Sequence, residues 1–341
     1  MSTWTEVLEA LARADVYNVY YNGTEDATLT GALTLRTDQS LQMGNKNLTI
    51  GQGGILTLNG TNGDAAHVSA ATLSVASGGV FAVNAQNEEQ NSYTHCSASA
   101  KNIVVQSGGE IRVPNHGFLS LNASKGSITV ESGAAVTNAG LLDFDSSTVL
   151  AGSLTLTGAD LSYSNSLYGE SEFRGEVTVS GTITVTHAGT LKTMGGLTIA
   201  EGGKIDLQSG WAELTGSVHN NGALNVAGGE LTLSNVGYSV YSAGTISIAS
   251  EADVYVWGTV LVNSGTISGA GTLNIAVADD ATSYDNGIEY VKAEGEQTPS
   301  NYSRYRFTHD PAATVDVTLF AGELSNQDGG ACTAVINDTT K

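Results

Sequence analysis

One short pattern recurs along this chain and leaves few folds open to it: apolar-x-apolar-x-x-Gly-Gly-x-apolar-x-apolar. Leu48, Ile50, Gly53, Gly54, Leu56 and Leu58 carry it, as do Leu73, Val75, Gly78, Gly79, Phe81 and Val83. Further copies run through Ile103, Val105, Gly108, Gly109, Ile111 and Val113, and through Leu197, Ile199, Gly202, Gly203, Ile205 and Leu207. Weaker copies lie at Ile128 to Val136, Ile183 to Leu191, Leu224 to Leu233 and Ile246 to Val256. Alternation with a period of two sends every second side chain of a strand to one face, and paired glycines permit the sharp corner between strands. Neighbouring good copies stand about 25–30 residues apart, which suits a three-sided rung with an occasional loop. The expected fold is therefore all-β, a right-handed parallel β-solenoid, because parallel crossovers wind that way. About 10–13 rungs at roughly 4.8 Å give a rod of about 50–60 Å.

The ends depart from the pattern. Trp4, Val7, Leu8 and Leu11 share one helical stripe, and Thr3 with Glu6 has capping-box spacing, so residues 1–27 are expected to hold a short helix that caps the open end of the coil, followed by a first strand. Residues 28–275 are the repeats. Residues 276–341 read as an atypical C-terminal cap or a small appended β region, with Tyr284, Tyr290, Tyr302, Tyr305 and Phe307 among charges. Two polar stretches, Asn84 to Ala100 and Ser162 to Gly175, are expected excursions from the rungs, where binding function tends to sit.

The composition narrows the partners. With 13 Lys+Arg against 34 Asp+Glu, the formal charge of -21 repels phosphate backbones and anionic lipid, so no nucleic acid and no membrane insertion are expected. No apolar run approaches a membrane span, and the N-terminus lacks the pattern of a signal peptide. Cys96 and Cys332 are far apart and show no CxxC spacing, so neither a zinc site nor a disulfide framework is indicated.

Parallel β-helices include polysaccharide lyases and hydrolases, so the fold alone does not exclude catalysis and the residues must decide. Asp143 and Asp145 flank Phe144 and should share a face, the best carboxylate pair in the coil, yet no basic residue stands near them in sequence. Asp279-Asp280 reads as a solvated turn, and Asn115-His116-Gly117 as a turn. His67, His95, His187, His219 and His309 are scattered without metal-site spacing. The Asp that calcium-binding Gly-rich nonapeptides require is missing after the Gly-Gly pairs, and no phosphate loop is present. The reading is non-enzymatic: no catalytic residue, no cofactor and no metal. The candidate ligand-binding surface is a strip of aromatics, Trp211, Tyr238, Tyr241, Tyr255 and Trp257, offered for stacking on a glycan if neighbouring rungs align them.

The Leu-Thr-Ile-x-x-Gly-Gly-x-Leu-x-Leu repeats and the run from Asn263 to Ile275 resemble the passenger and adhesin β-helices of bacterial autotransporters, a pectin-lyase-like fold. The resemblance spans about three quarters of the chain and carries over no catalytic residue. It implies an extracellular or cell-surface stalk whose loops bind a glycan or a host or neighbouring surface protein, with a homo-oligomer also compatible. It further implies a fragment of a longer protein, since the membrane β-barrel such proteins usually bear is missing from the sequence. Two alternatives stand beside it: a phage virion fibre or capsid decoration protein, if Met1 is the native start, and a polysaccharide depolymerase with its site between subunits.

Overall fold

The computed structural model describes the chain except residues 62–63, 86–93, 159–168, 235–238, 258–259, 276–305, 310–313, 322–323, 327–334 and 337–341. It divides into two compact units, Met1–Leu191 and Lys192–Lys341. Both are parallel β-solenoids with three ladders of strands, as the repeats predict.

In the first unit the first ladder stacks Ala27–Leu29, Leu48–Ile50, the second half of His67–Val75, the second half of Thr94–Val105, Ile128–Val130, Thr148–Leu150 and Val177–Val179. The second ladder stacks Ala32–Leu35, Ile55–Thr61, Val80–Ala85, Glu110–Val113, Ala135–Asn138, Ser153–Thr157 and Thr182–Thr186. The third stacks Asn18–Tyr20, Ser40–Gln42, the first halves of His67–Val75 and Thr94–Val105, Gly117–Ala123, Leu141–Phe144 and Glu170–Phe173. All these pairings are parallel. Strands Thr94–Val105 and Glu170–Phe173 correct the sequence reading, because both predicted excursions contain rung strands. Only residues 86–93 and 159–168 of those stretches lie outside the described residues.

The second unit repeats the plan. Its first ladder holds Leu197–Ile199, Val218–Asn220, Ser239–Ser242 and Val260–Asn263. Its second holds Lys204–Leu207, Ala223–Val226, Thr245–Ile248 and the start of Thr266–Ile275. Its third holds Trp211–Leu214, Gly229–Ser234, Ala252–Trp257 and the end of Thr266–Ile275. Arg306–His309 pairs in parallel with Val260–Asn263, and Thr314–Ala321 with Thr266–Ile275.

The core follows from the alternation. Leu48, Ile50, Leu56 and Leu58 are fully buried while Thr49 and Thr57 between them are not. Parallel register sets like on like between rungs, so Phe144 and Phe173 stack with centroids 4.4 Å apart and planes 7° from parallel. Each such buried side chain contributes about 1.5–3 kcal/mol of transfer free energy before entropy is counted.

The two glycines of a corner meet different demands. Gly78 adopts φ of 71°, a region costly for residues with a Cβ. Gly79 has an ordinary φ, but a Cβ there would sit 2.2 Å from the Ile50 carbonyl oxygen of the preceding rung. The sequence pattern alone does not say which corner it turns. The copies from Leu48, Leu73, Ile103 and Ile128 pass from first to second ladder, whereas the weaker copy from Ile183 leaves a second-ladder strand. Within the second unit the copies from Leu224 and Ile246 likewise join second to third ladder. His187 occupies the left-handed region with φ of 53° in its turn, and His116 does so with φ of 62°, which gives each a conformational role.

The predicted helix spans Trp4–Leu11 and begins at a complete capping box, the Thr3 side chain accepting from the Glu6 N–H and the Glu6 carboxylate from the Thr3 N–H. Val7, Ala10 and Leu11 are its buried face. Its last residue and the segment after it are tied to the first rungs: the buried Gln39 amide donates to Leu11 and Val16 carbonyls at 3.1 and 2.9 Å, and the Arg36 guanidinium donates to those of Arg13, Ala14 and Val16. The bond to Leu11 satisfies a carbonyl that the helix end leaves open.

Candidate functional site

The third ladder of the first unit presents two outward columns of polar side chains. One runs Asn18, Ser40, His67, Ser97, Ser120, Asp143, Glu172 in strict register. Beside it Tyr20, Gln42, Ser69, Ser99 and Asn122 form the second, and Asp145 and Arg174 extend it just past the strand ends, where their N–H groups donate to the Leu121 and Phe144 carbonyls. Hydrogen bonds run along and between the columns: Ser40 Oγ donates to Asn18 Oδ1 at 2.6 Å, His67 Nδ1 pairs with Ser97 Oγ at 2.8 Å, and Ser120 Oγ donates to Asp145 Oδ2 at 2.7 Å. Burial holds the His67 imidazole below its ordinary range.

At the last two rungs the columns converge on one cation. Arg174 donates to Asp143 Oδ2 at 2.9 Å and to Glu172 Oε1 at 2.8 Å, and its Nε stands 3.4 Å from Asp145 Oδ1. The carboxylates are far less exposed than the guanidinium: 13% for Asp143, 17% for Glu172 and 20% for Asp145 against 50% for Arg174. Burial pushes the Asp143 carboxyl up to about 6, opposed by Arg174 and reinforced by the charges of Glu172, Asp145 and Glu170. Glu170, although it begins an outer strand, is only 7% exposed. The Asp143/Asp145 pair therefore does have a basic neighbour, contrary to the sequence reading. Arg174 lies 31 residues from Asp143 and arrives one rung later.

The second ladder carries a groove of about 470 Å³ lined by Arg112, Pro114, Thr137, Asn138, Thr155 and Thr157 among others. Arg112 is clamped by Glu110 of its own strand through two bonds of 2.6 Å, and Asn138 Nδ2 donates to the Glu170 carbonyl at 2.7 Å. The groove thus offers hydroxyls, a half-exposed guanidinium and a proline.

The aromatics named from the sequence are distributed over different ladders. Trp211 and Tyr255 lie in the third ladder of the second unit in adjacent columns, Trp211 opposite Glu230 and Tyr255 opposite Thr232. Lys192 Nζ sits 5.6 Å from the Trp211 ring centroid. Tyr241 is in the first ladder, 46% exposed, and stacks on His219 at 5.1 Å with planes 10° apart. Trp257 ends a third-ladder strand opposite Ser234, its side chain outside the described residues, and Tyr238 lies outside them altogether. Column stacking directs ring faces along the coil axis toward the next rung, so the His219 and Tyr241 rings cover one another and present edges to solvent.

Among the described residues no three His, Cys, Asp or Glu side chains converge as a metal site, and no helix is long and apolar enough to cross a membrane. Cys96 is fully buried and its thiol is pushed up to about 12 by burial, while Cys332 and Asp279-Asp280 lie outside the described residues.

No family model and no curated protein matches the chain. Among solved structures it is similar to a crystal structure of a TibC-catalysed, hyper-glycosylated fragment of TibA, residues 55–350. The two are 15% identical with a TM-score of 0.48, over 94% of this chain and 98% of that one. The solenoid assignment rests on this chain's own parallel ladders.

Proposed function

We propose that this chain is a non-catalytic structural or adhesive β-solenoid that works outside a cell, at a bacterial surface, and holds a glycan or a surface protein against its outer ladders. The observation that carries this reading is the pair of continuous polar columns on the third ladder of the first unit. They repeat hydrogen-bonding groups from rung to rung at the ~4.8 Å strand spacing, a periodic surface suited to an extended polyhydroxylated chain. The adjoining groove at Arg112 supplies a second, recessed contact. Arg174 supports the non-catalytic side of the reading, because it is already shared among three carboxylates and holds them in place.

One observation favours a second reading, a polysaccharide depolymerase: Asp143, with its carboxyl near 6 and Asp145 beside it, is a carboxyl able to hold a proton close to neutral pH. A glycan-array screen on the purified protein, with reducing-end release assayed on the same polysaccharides, separates the two. Binding without release is expected, weakened by Ser120→Lys on the column. Release that disappears in Asp143→Asn would replace the adhesive reading with the enzymatic one, and silence in both assays would leave a purely structural role.

A further inference from the structure

The N-terminal helix and the first rung enclose a groove of about 390 Å³, within the range of pockets that hold a ligand. One wall is the apolar stripe of the helix, Trp4, Leu8 and Leu11, and the other is the strand–corner–strand segment from Thr28 to Thr34. That second wall is an open β-edge. The Ala27 N–H donates to the Asn47 carbonyl at 3.0 Å, the Leu29 carbonyl accepts from the Gly51 N–H at 2.8 Å, and the Gly31 carbonyl accepts from the Ile55 N–H at 3.0 Å. These residues spend their backbone groups on the second rung. Alternate residues of a strand turn theirs to the opposite edge, so Thr28, Ala32 and Thr34 direct N–H and C=O groups into the groove. Among the described residues, Ala27–Leu29 pairs with Leu48–Ile50 alone and Ala32–Leu35 with Ile55–Thr61 alone.

Uncovered edges of this kind template further pairing. The opposite side of the same rung shows what fits, because residues 48–58 already run parallel to both strands as one chain, turning at Gly51 to Gly54. The geometry points to this groove as a strand-addition site for an extended segment of a partner protein, parallel to the rung, with apolar residues at alternate positions and glycine at a central corner. Continuity with the ladder decides the form of the occupant. The two open edges are successive strands of one rung, joined through Thr30 and Gly31, so only a strand–corner–strand segment satisfies both with a single chain. A helix brings a backbone already hydrogen-bonded to itself. Trp4 and Leu8, both incompletely buried, then receive the apolar side chains of the incoming strand.

The test uses the full chain and, as probe, a peptide with the sequence of residues 48–58. Excess peptide is expected to slow hydrogen–deuterium exchange of the Thr28, Ala32 and Thr34 amides at least tenfold, and a scrambled peptide to leave it unchanged. A Cβ at Gly31 would meet nothing within 4 Å, so Gly31→Arg should fold with an unaltered melting temperature, obstruct the groove and abolish the protection. Absence of slowing, or equal slowing by the scrambled peptide or in Gly31→Arg, overturns the proposal. Slowing that grows with protein concentration in the absence of peptide assigns the groove to a second copy of this chain and overturns the foreign partner.

Discussion

Two arginines in the first unit stand two residues after a glutamate on an outward-facing strand, and the rungs around them give them different work. Arg112 meets Glu110 and no other carboxylate in an ion pair within the described residues, and the guanidinium is 56% exposed. Arg174 meets Glu172 through Nε alone and also reaches Asp143 and Asp145 of the preceding rung, all three carboxylates being largely covered. The local sequence motif is the same, Glu-x-Arg. In a solenoid the electrostatic environment of a side chain is set less by its own strand than by the residue one coil away, and a surface pair becomes a network when that residue is acidic.

The contrast can be broken by substitution. The largest effect is expected from Arg174→Glu, which places a fourth acid among three largely covered ones; chemical denaturation should show a loss of about 2–4 kcal/mol. Arg174→Ala, which removes the cation without adding repulsion, should cost about 1–2 kcal/mol and raise the Asp143 pKa further, readable by carboxyl NMR titration. The pH dependence sharpens the comparison. A carboxyl whose folded pKa, about 6, lies above its unfolded value of 3.8 contributes stability in full below about pH 4 and loses it as pH rises through 6. Melting curves should therefore show about 1–3 kcal/mol lost between pH 4 and 7 on this account, and Asp143→Asn should flatten that slope. Arg112→Ala, at the exposed pair, should change stability by no more than about 0.5 kcal/mol. An equal cost for Arg112→Ala and Arg174→Ala would show that the neighbouring rung does not matter.

Much of the architecture is legible from residues alone because local rules act within one rung. Alternation defines the buried positions, the Gly-Gly pair marks corners, and the capping box sets the start of the helix at Thr3. What runs between rungs is less legible. Successive first-ladder positions of the first unit are 20 residues apart from Ile128 to Thr148 but 30 from Leu73 to Ile103, whereas in the second unit they are 21 from Leu197 to Val218 and 22 from Val218 to Val240. With such variable coil lengths, the residue that sits over Asp143 does not follow from counting, and Arg174 stands in a stretch whose polar sequence resembles a loop. The same uncertainty dispersed the aromatics: Tyr241 and Tyr255 are close in sequence yet belong to different ladders. The polar columns of the third ladder give no sequence signal at all, since serine and asparagine between apolar residues look like any solvent-facing position.

Four successive corners between the first and second ladders of the first unit are bonded to one another as well as turned. The Gly53 N–H donates to the Gly78 carbonyl at 3.0 Å, Gly78 to Gly108 at 2.8 Å and Gly108 to Gly133 at 2.9 Å, a line of amides running up the corner beside the ladders. Surface turns are ordinarily where proteases cut, because an enzyme must draw several residues into an extended form within its cleft. Here a turn cannot be drawn out without parting from the turns above and below it. The four corners joined this way should therefore resist nicking together, and digestion would have to begin elsewhere.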